Sequence, residues 1–195
     1  GDALLDAQLP GGGWPVGALV ELLQPAGVHC EWRLLLPALA RCGQGPVVLV
    51  GAPYLPFVPT LAALGLHASR LLAVGATGTA QDGRLWATEQ LLRCAEVDAV
   101  LAWLPQARSD QLRRLQMAAA EHHKLLFVMR QAALQADASP AALRLVLQPQ
   151  PPAQSPRLDA LAVQIVKRRG PPLAQPLQLQ ARAARLAVLL AAEGA

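Results

Sequence analysis

Residues 16–39, VGALVELLQPAGVHCEWRLLLPAL, constrain the fold more than any other stretch of the chain. Leu19, Val20, Leu22 and Leu23 form an apolar run closed by the turn-forming residues Gln24 to Val28, which reads as a buried strand. An apolar helix is expected to begin near His29. Strand, turn and helix in this order is the setting of a phosphate loop, which requires G-x-x-x-x-G-K-[ST]: glycines let backbone N–H groups close on the phosphates, the lysine reaches the outer phosphates, and the hydroxyl holds Mg²⁺. The window here is QPAGVHCE. Gln24 and His29 stand at the glycine positions, Gly27 falls between them, Cys30 replaces the lysine and Glu31 the hydroxyl. The context is right and the chemistry is missing. Glu31 would oppose a phosphate where a helix N-terminus otherwise welcomes one.

The rest of the chain repeats the alternation of strand and helix that marks a parallel sheet covered by helices. Strands are expected at Val47–Val50, Leu71–Val74, Ala99–Leu104 and Leu125–Met129. Helices are expected at about 30–41, interrupted and kinked by Pro37, and at 60–64, 84–94 and 109–122, the last capped by Ser109. After residue 129 the pattern changes. Ala141–Leu147, Leu158–Val166 and Leu177–Gln180 read as successive strands without intervening helices, and therefore as an antiparallel edge. The fold class expected is α/β, with residues 1–180 as one domain and 181–195 as a helical tail.

Composition narrows the function classes. The 195 residues are 53% hydrophobic and 15% charged, which excludes a disordered chain. The net charge of +4, nearly all arginine, permits an acidic or nucleic-acid partner without requiring one. Three cysteines (Cys30, Cys42, Cys94) have no metal-ligand spacing, and an odd count fits a reducing cytoplasm. No apolar run reaches the roughly 18–20 residues of a spanning helix, so no membrane partner is expected. The opening residues, GDALLDAQLPGGG, look like the interior of a protein, and a natural N-terminus is expected upstream.

Four segments, in collinear order, resemble the RecA recombinase core: GDALLDAQLPGGGWPVGALVELLQP, VVLVGAPYLPFVPTLAALGLHASRLLAV, VDAVLAWLP, and the pair KLLFVMRQ and LAVQIVKRRGPPL. Within that superfamily the degenerate phosphate loop, short length and Leu/Pro/Arg-rich texture are most similar to the ImuA group. The resemblance implies a RecA-like core and a protein that acts beside an inactive polymerase homologue of the ImuB type and an error-prone DnaE-type polymerase in damage-induced translesion synthesis. It also leaves open a SulA-like inhibitor that binds a tubulin-like division protein, and a weak ATP-binding protein. The ATPase residues do not carry over. The catalytic Glu falls near Pro53 and the Mg²⁺-linked Asp falls on Trp103, so no cofactor is expected. Gln131 matches the nucleotide-sensing Gln, with Arg130 at the preceding Asn. Lys167 and Arg169 match two basic residues that reach a neighbouring protomer's ATP in RecA filaments.

Three groups of candidate site residues follow. Lys167, Arg168 and Arg169, fixed at a strand end by Gly170-Pro171-Pro172, are either an interface or plain surface. Leu186, Leu189 and Leu190 of the tail either pack on the sheet or dock into a partner. Arg108, Arg113 and Arg114 are candidates for single-stranded DNA contact, with no aromatic beside them in sequence. The degenerate loop itself (Gln24, Gly27, His29, Cys30, Glu31) reads as scaffold. Trp103 reads as a packing residue in space that an Asp–Mg²⁺–nucleotide assembly would otherwise fill, and the adjacent His122 and His123 as an exposed helix end.

Overall fold

A computed structural model describes residues 2–75, 81–150, 160–171 and 173–180. The chain runs α1 (Ala3–Asp6), β1 (Ala18–Gln24), α2 (Glu31–Leu39), β2 (Val47–Val50), α3 (Val58–Ala63), β3 (Leu71–Val74), α4 (Gln81–Arg93), β4 (Ala99–Trp103), α5 (Ser109–Glu121), β5 (Leu125–Gln131), β6 (Leu143–Pro149), β7 (Ala160–Lys167) and β8 (Leu177–Gln180), with 3₁₀ turns at Ala68–Arg70 and Ala132–Ala136. The expected tail, with Leu186, Leu189 and Leu190, lies outside the described residues.

All eight strands join one sheet in the order β3-β2-β4-β5-β1-β6-β7-β8. The first six are mutually parallel, and β7 and β8 are antiparallel. Strands such as VVLV and AVLAW are buried at every position because helices cover both faces. One core, with Val20, Leu49, Leu101 and Phe127, lies under Leu34, Leu35 and Leu39 of α2 and Leu61 of α3. Leu5 of α1 joins the same core, its short helix capped by the Asp2 carboxylate. The other core, with Leu19, Val48, Val100 and Val128, lies under Leu92 of α4 and Leu112 and Leu115 of α5.

The pairing of β6 corrects the sequence reading. Ala141–Leu147 was expected in the antiparallel edge, yet β6 runs parallel to β1, with Val20 opposite Leu143 and Leu22 opposite Leu145. The connection through residues 132–142 carries only a 3₁₀ turn. It is still close to the dozen residues needed to cross one strand and return in the same direction. A smaller correction concerns a helix end. Ser109 is the first residue of α5 rather than its cap, and Arg108 holds the cap position. Arginine has no acceptor atom, so the half of the capping arrangement that forms is the Arg108 N–H donating to Gln111 Oε1 at 2.9 Å. Pro37 lies inside α2, which continues to Leu39.

The N-terminal edge of the sheet is pinned by buried cations on carbonyls. Lys124 Nζ donates to Ala95 O at 2.8 Å and Val97 O at 2.7 Å. Arg70 Nε donates to Gly45 O at 2.9 Å and pairs with Asp98 at 3.2 Å, while the Gly45 N–H donates to the same carboxylate at 2.6 Å.

Candidate functional site

The turn after β1 is built from within. Val28 N–H donates to Pro25 O at 3.1 Å, closing a four-residue turn. Its third residue, Gly27, has φ +74, which a type II turn requires and glycine adopts without strain. Gln24, the last residue of β1, is buried and turns its amide into the space the turn encloses. The amide oxygen accepts the Cys30 N–H at 2.8 Å and the Cys30 Sγ at 3.2 Å. The amide nitrogen donates to Glu31 Oε2 at 2.9 Å. A side chain of the protein therefore takes the N–H that a phosphate loop offers to its ligand. Glu31, itself buried, places a carboxylate in the first turn of α2, where the helix dipole favours it.

Cys30, at the lysine position, is buried, and that burial, with Glu31 beside it, pushes its thiol up to about 12. It stays protonated at neutral pH and is no nucleophile. His29 is exposed and meets Tyr54 edge-on, ring centroids 5.4 Å apart. Trp103 is buried in the same core as Cys30 and Leu34.

A second polar centre lies on the other face of β1, and sequence reasoning missed it. Leu19 faces the α4/α5 core, so Glu21, two residues on, faces the same way. Glu21 is fully buried. From β5, Arg130 Nη1 donates to its Oε1 at 2.8 Å; from β6, Arg144 Nε donates to its Oε2. Both arginines are more than nine-tenths buried. Arg130 Nη2 also reaches Ala107 O at 2.8 Å, and Arg144 reaches the Leu134, Gln135 and Asp137 carbonyls at 3.0, 2.9 and 3.1 Å. The three residues tie the loop after β4 and the loop after β5 to the central strand. The sequence carries a signal for them: Glu21, Arg130 and Arg144 are single charges inside apolar strands, of opposite sign.

Those two loops border a cleft of about 680 Å³ at the carboxyl ends of β4 and β5, lined by Pro105, Gln106, Ser109, Arg130, Gln131 and Leu134 among others. This is where open α/β sheets hold their ligands. Gln131 is exposed there, while Arg130 is committed to Glu21.

The basic candidates separate. Arg108 pairs with Asp110 at 3.3 Å, both exposed, and this contact holds the Asp110 carboxyl below its usual range. Arg114 reaches Glu89 of α4 at 2.6 Å. Arg113 is exposed. Lys167 Nζ donates to Ser139 O at 2.8 Å, and Arg168 donates to Pro171 O at 2.7 Å and Gln8 O at 2.5 Å, clasping the segment after α1. Arg169 is exposed beside them. Among the described residues no three His, Cys, Asp or Glu side chains gather as a metal site, and no helix is long and apolar enough to cross a membrane.

A scan of the chain against protein-family models found no match, and a search of curated proteins found none either.

Proposed function

We propose that the chain is a non-catalytic accessory protein with a RecA-like fold, acting by protein–protein contact in a damage-induced translesion synthesis complex. The observation that carries this reading is Gln24. Its amide fills the turn where the resemblance implies a phosphate loop, and it already holds the Cys30 N–H and the Glu31 carboxylate. Without a lysine, a Mg²⁺ ligand or a catalytic carboxylate, that turn has little with which to grip or hydrolyse a triphosphate. The collinear resemblance and a parallel sheet with antiparallel strands at one edge support the RecA-like assignment. The partners in this reading are an ImuB-type polymerase homologue, RecA or a RecA filament, and a DnaE-type polymerase. Working surfaces then lie on the outside of the scaffold, with Arg169 and the tail after Gln180 as candidates.

Two measurements test it. Binding of purified ImuB-type protein, RecA and DnaE-type polymerase is measured directly, with a tubulin-like division protein as the competing partner. Capture of that protein alone replaces the reading with the SulA-like one. A thermal-shift titration with Mg-ATP is expected to stay flat to millimolar concentration. Ligand at 100 times its dissociation constant would add about 2.7 kcal/mol, a shift of several degrees, and would overturn the non-catalytic reading's physical basis.

A further inference from the structure

From Cys42 to Gln81 the chain carries a single Asp, Glu, Lys or Arg residue, Arg70, although 15% of the whole sequence is charged. Arg70 is buried against Asp98 and lends the surface no charge. This stretch builds one edge of the sheet: β2, the connection through α3, and the terminal strand β3. Its apolar side chains are not all inside. Phe57 is 73% exposed, Tyr54 71% and Leu55 66%. Leu64, at the end of α3, and Leu72 and Val74 of β3 are exposed as well. Leu71 packs on the core under α2 and α3, so Leu72 and Val74 point to the opposite face, where α4 packs on β2 and β4 instead. The backbone of β3 is open too. The Gly51 N–H donates to Val74 O, so Val74 and Leu72 bond toward β2, and Ala73 between them turns its N–H and C=O outward. Natural edge strands are guarded by a charge, a proline or a bulge. The strand LLAV has none of these.

We infer that this edge is the interface of a two-fold homodimer, in which β3 pairs antiparallel with β3 of a second copy. The strand is complementary to itself. With the axis at Ala73, the two Ala73 residues exchange a pair of N–H···O bonds, and Leu72 of each copy lies opposite Val74 of the other. A two-fold contact sets a patch against its own image, so it requires a surface that does not repel itself. This one meets that requirement, because its only cation is buried and already paired. The bordering charges on α4 are Arg84, which lies against Gly51, and the exposed Asp82, and they are of opposite sign. Area points the same way. The six exposed apolar side chains leave roughly 700 Å² open on each copy, close to the ~800 Å² that each partner gives to a standard interface. Four residues of strand supply few hydrogen bonds, so β3 sets the register and the apolar side chains around it supply most of the energy.

The test is sedimentation velocity of the whole chain over about 1–100 μM, with two variants of the edge. Leu72→Lys adds the charge that a guarded edge carries. Ala73→Pro removes the outward N–H and keeps the pairing with β2, since proline is accepted on an edge strand where its nitrogen faces out. Met117→Lys, at an equally exposed apolar residue of α5 (65%), is the control. Circular dichroism checks each fold, and Leu72→Lys decides alone if the proline variant does not fold. The parent and the control are expected to sediment as dimers, and each edge variant to raise the dimer dissociation constant at least about tenfold. A cross-link reads the register. In a hydrogen-bonded antiparallel pair the Cα atoms lie about 5.5 Å apart, within the span of a disulfide. Ala73→Cys in a Cys94→Ser background should therefore oxidise to a covalent dimer, and Cys94→Ser alone should not. The inference is overturned if the parent stays monomeric at 100 μM, which would give this edge to a different partner. It is overturned too if Leu72→Lys dimerises as the parent does, if Met117→Lys dissociates equally, or if a dimeric Ala73→Cys protein fails to cross-link. None of these outcomes depends on the adaptor reading, which the partner-binding measurement judges separately.

Discussion

Replacing Glu21 with leucine is the sharpest test of how the two loops at the carboxyl ends of β4 and β5 are held. The parent site contains one carboxylate and two guanidinium groups, all buried. Removing the carboxylate leaves two uncompensated cations in the interior, and breaking a buried pair this way costs about 3–5 kcal/mol. Carbonyl acceptors at Ala107, Leu134, Gln135 and Asp137 remain, which keeps the loss within that range rather than doubling it. At about 2–4 °C per kcal/mol for a chain of this size, the melting point should fall by roughly 6–20 °C. Arg130→Met leaves one cation against one anion and one carbonyl without its donor, and should cost only about 1–3 kcal/mol. The triple variant Glu21→Leu, Arg130→Met, Arg144→Met removes every charge but also strips the donors from the Ala107, Leu134, Gln135 and Asp137 carbonyls, so it should recover only part of the loss. Urea denaturation of the four proteins gives the comparison directly. A Glu21→Leu protein within about 1 kcal/mol of the parent, or less damaged than Arg130→Met, would refute the charge argument.

Three further outcomes are expected. Gln24→Leu leaves the Glu31 carboxylate and the Cys30 N–H buried without partners and should lower stability by about 2–4 kcal/mol in the same urea assay; Gln24→Glu should be no better, because it sets two carboxylates together. Gly45→Ala drives a Cβ into Glu96 O and the Asp98 carboxylate, so it should destabilise by at least about 2 kcal/mol, whereas Gly27→Ala should be penalised only for its positive φ, the Cβ meeting open space. Above pH 9 an unfolded Cys30 ionises while the folded thiol, raised to about 12, does not, so the folded state holds the extra proton and stability falls as pH rises. By pH 10.5 the Cys30 contribution reaches about 2 kcal/mol, and a Cys30→Ala protein should show a correspondingly flatter decline in urea midpoint between pH 8 and 10.5.

Much of the architecture was legible because it is written in local pattern. VVLV, AVLAW and LLFVMR are apolar without alternation, which marks strands covered on both faces, and they were placed to within a residue or two. The turn after β1 was legible too. The filling of that turn by Gln24 was not, because a glutamine at a strand end can point outward to water as readily as inward. The parallel course of β6 was misread for a related reason. A helix between strands is the usual sign of a crossover, and here an 11-residue connection with one 3₁₀ turn makes the same passage.

The sequence by itself determined the alternation of strand and helix and the buried strands, since each depends on residue type within a few positions. Tertiary structure alone decided which charges meet. Glu21 finds its partners 109 and 123 residues away, and Arg114, one of three similar surface arginines, is drawn to Glu89 of the neighbouring helix. An isolated charge in an apolar strand demands a counter-charge because desolvation is costly. Only the pairing of the strands, set by the whole sheet, says which one it will be.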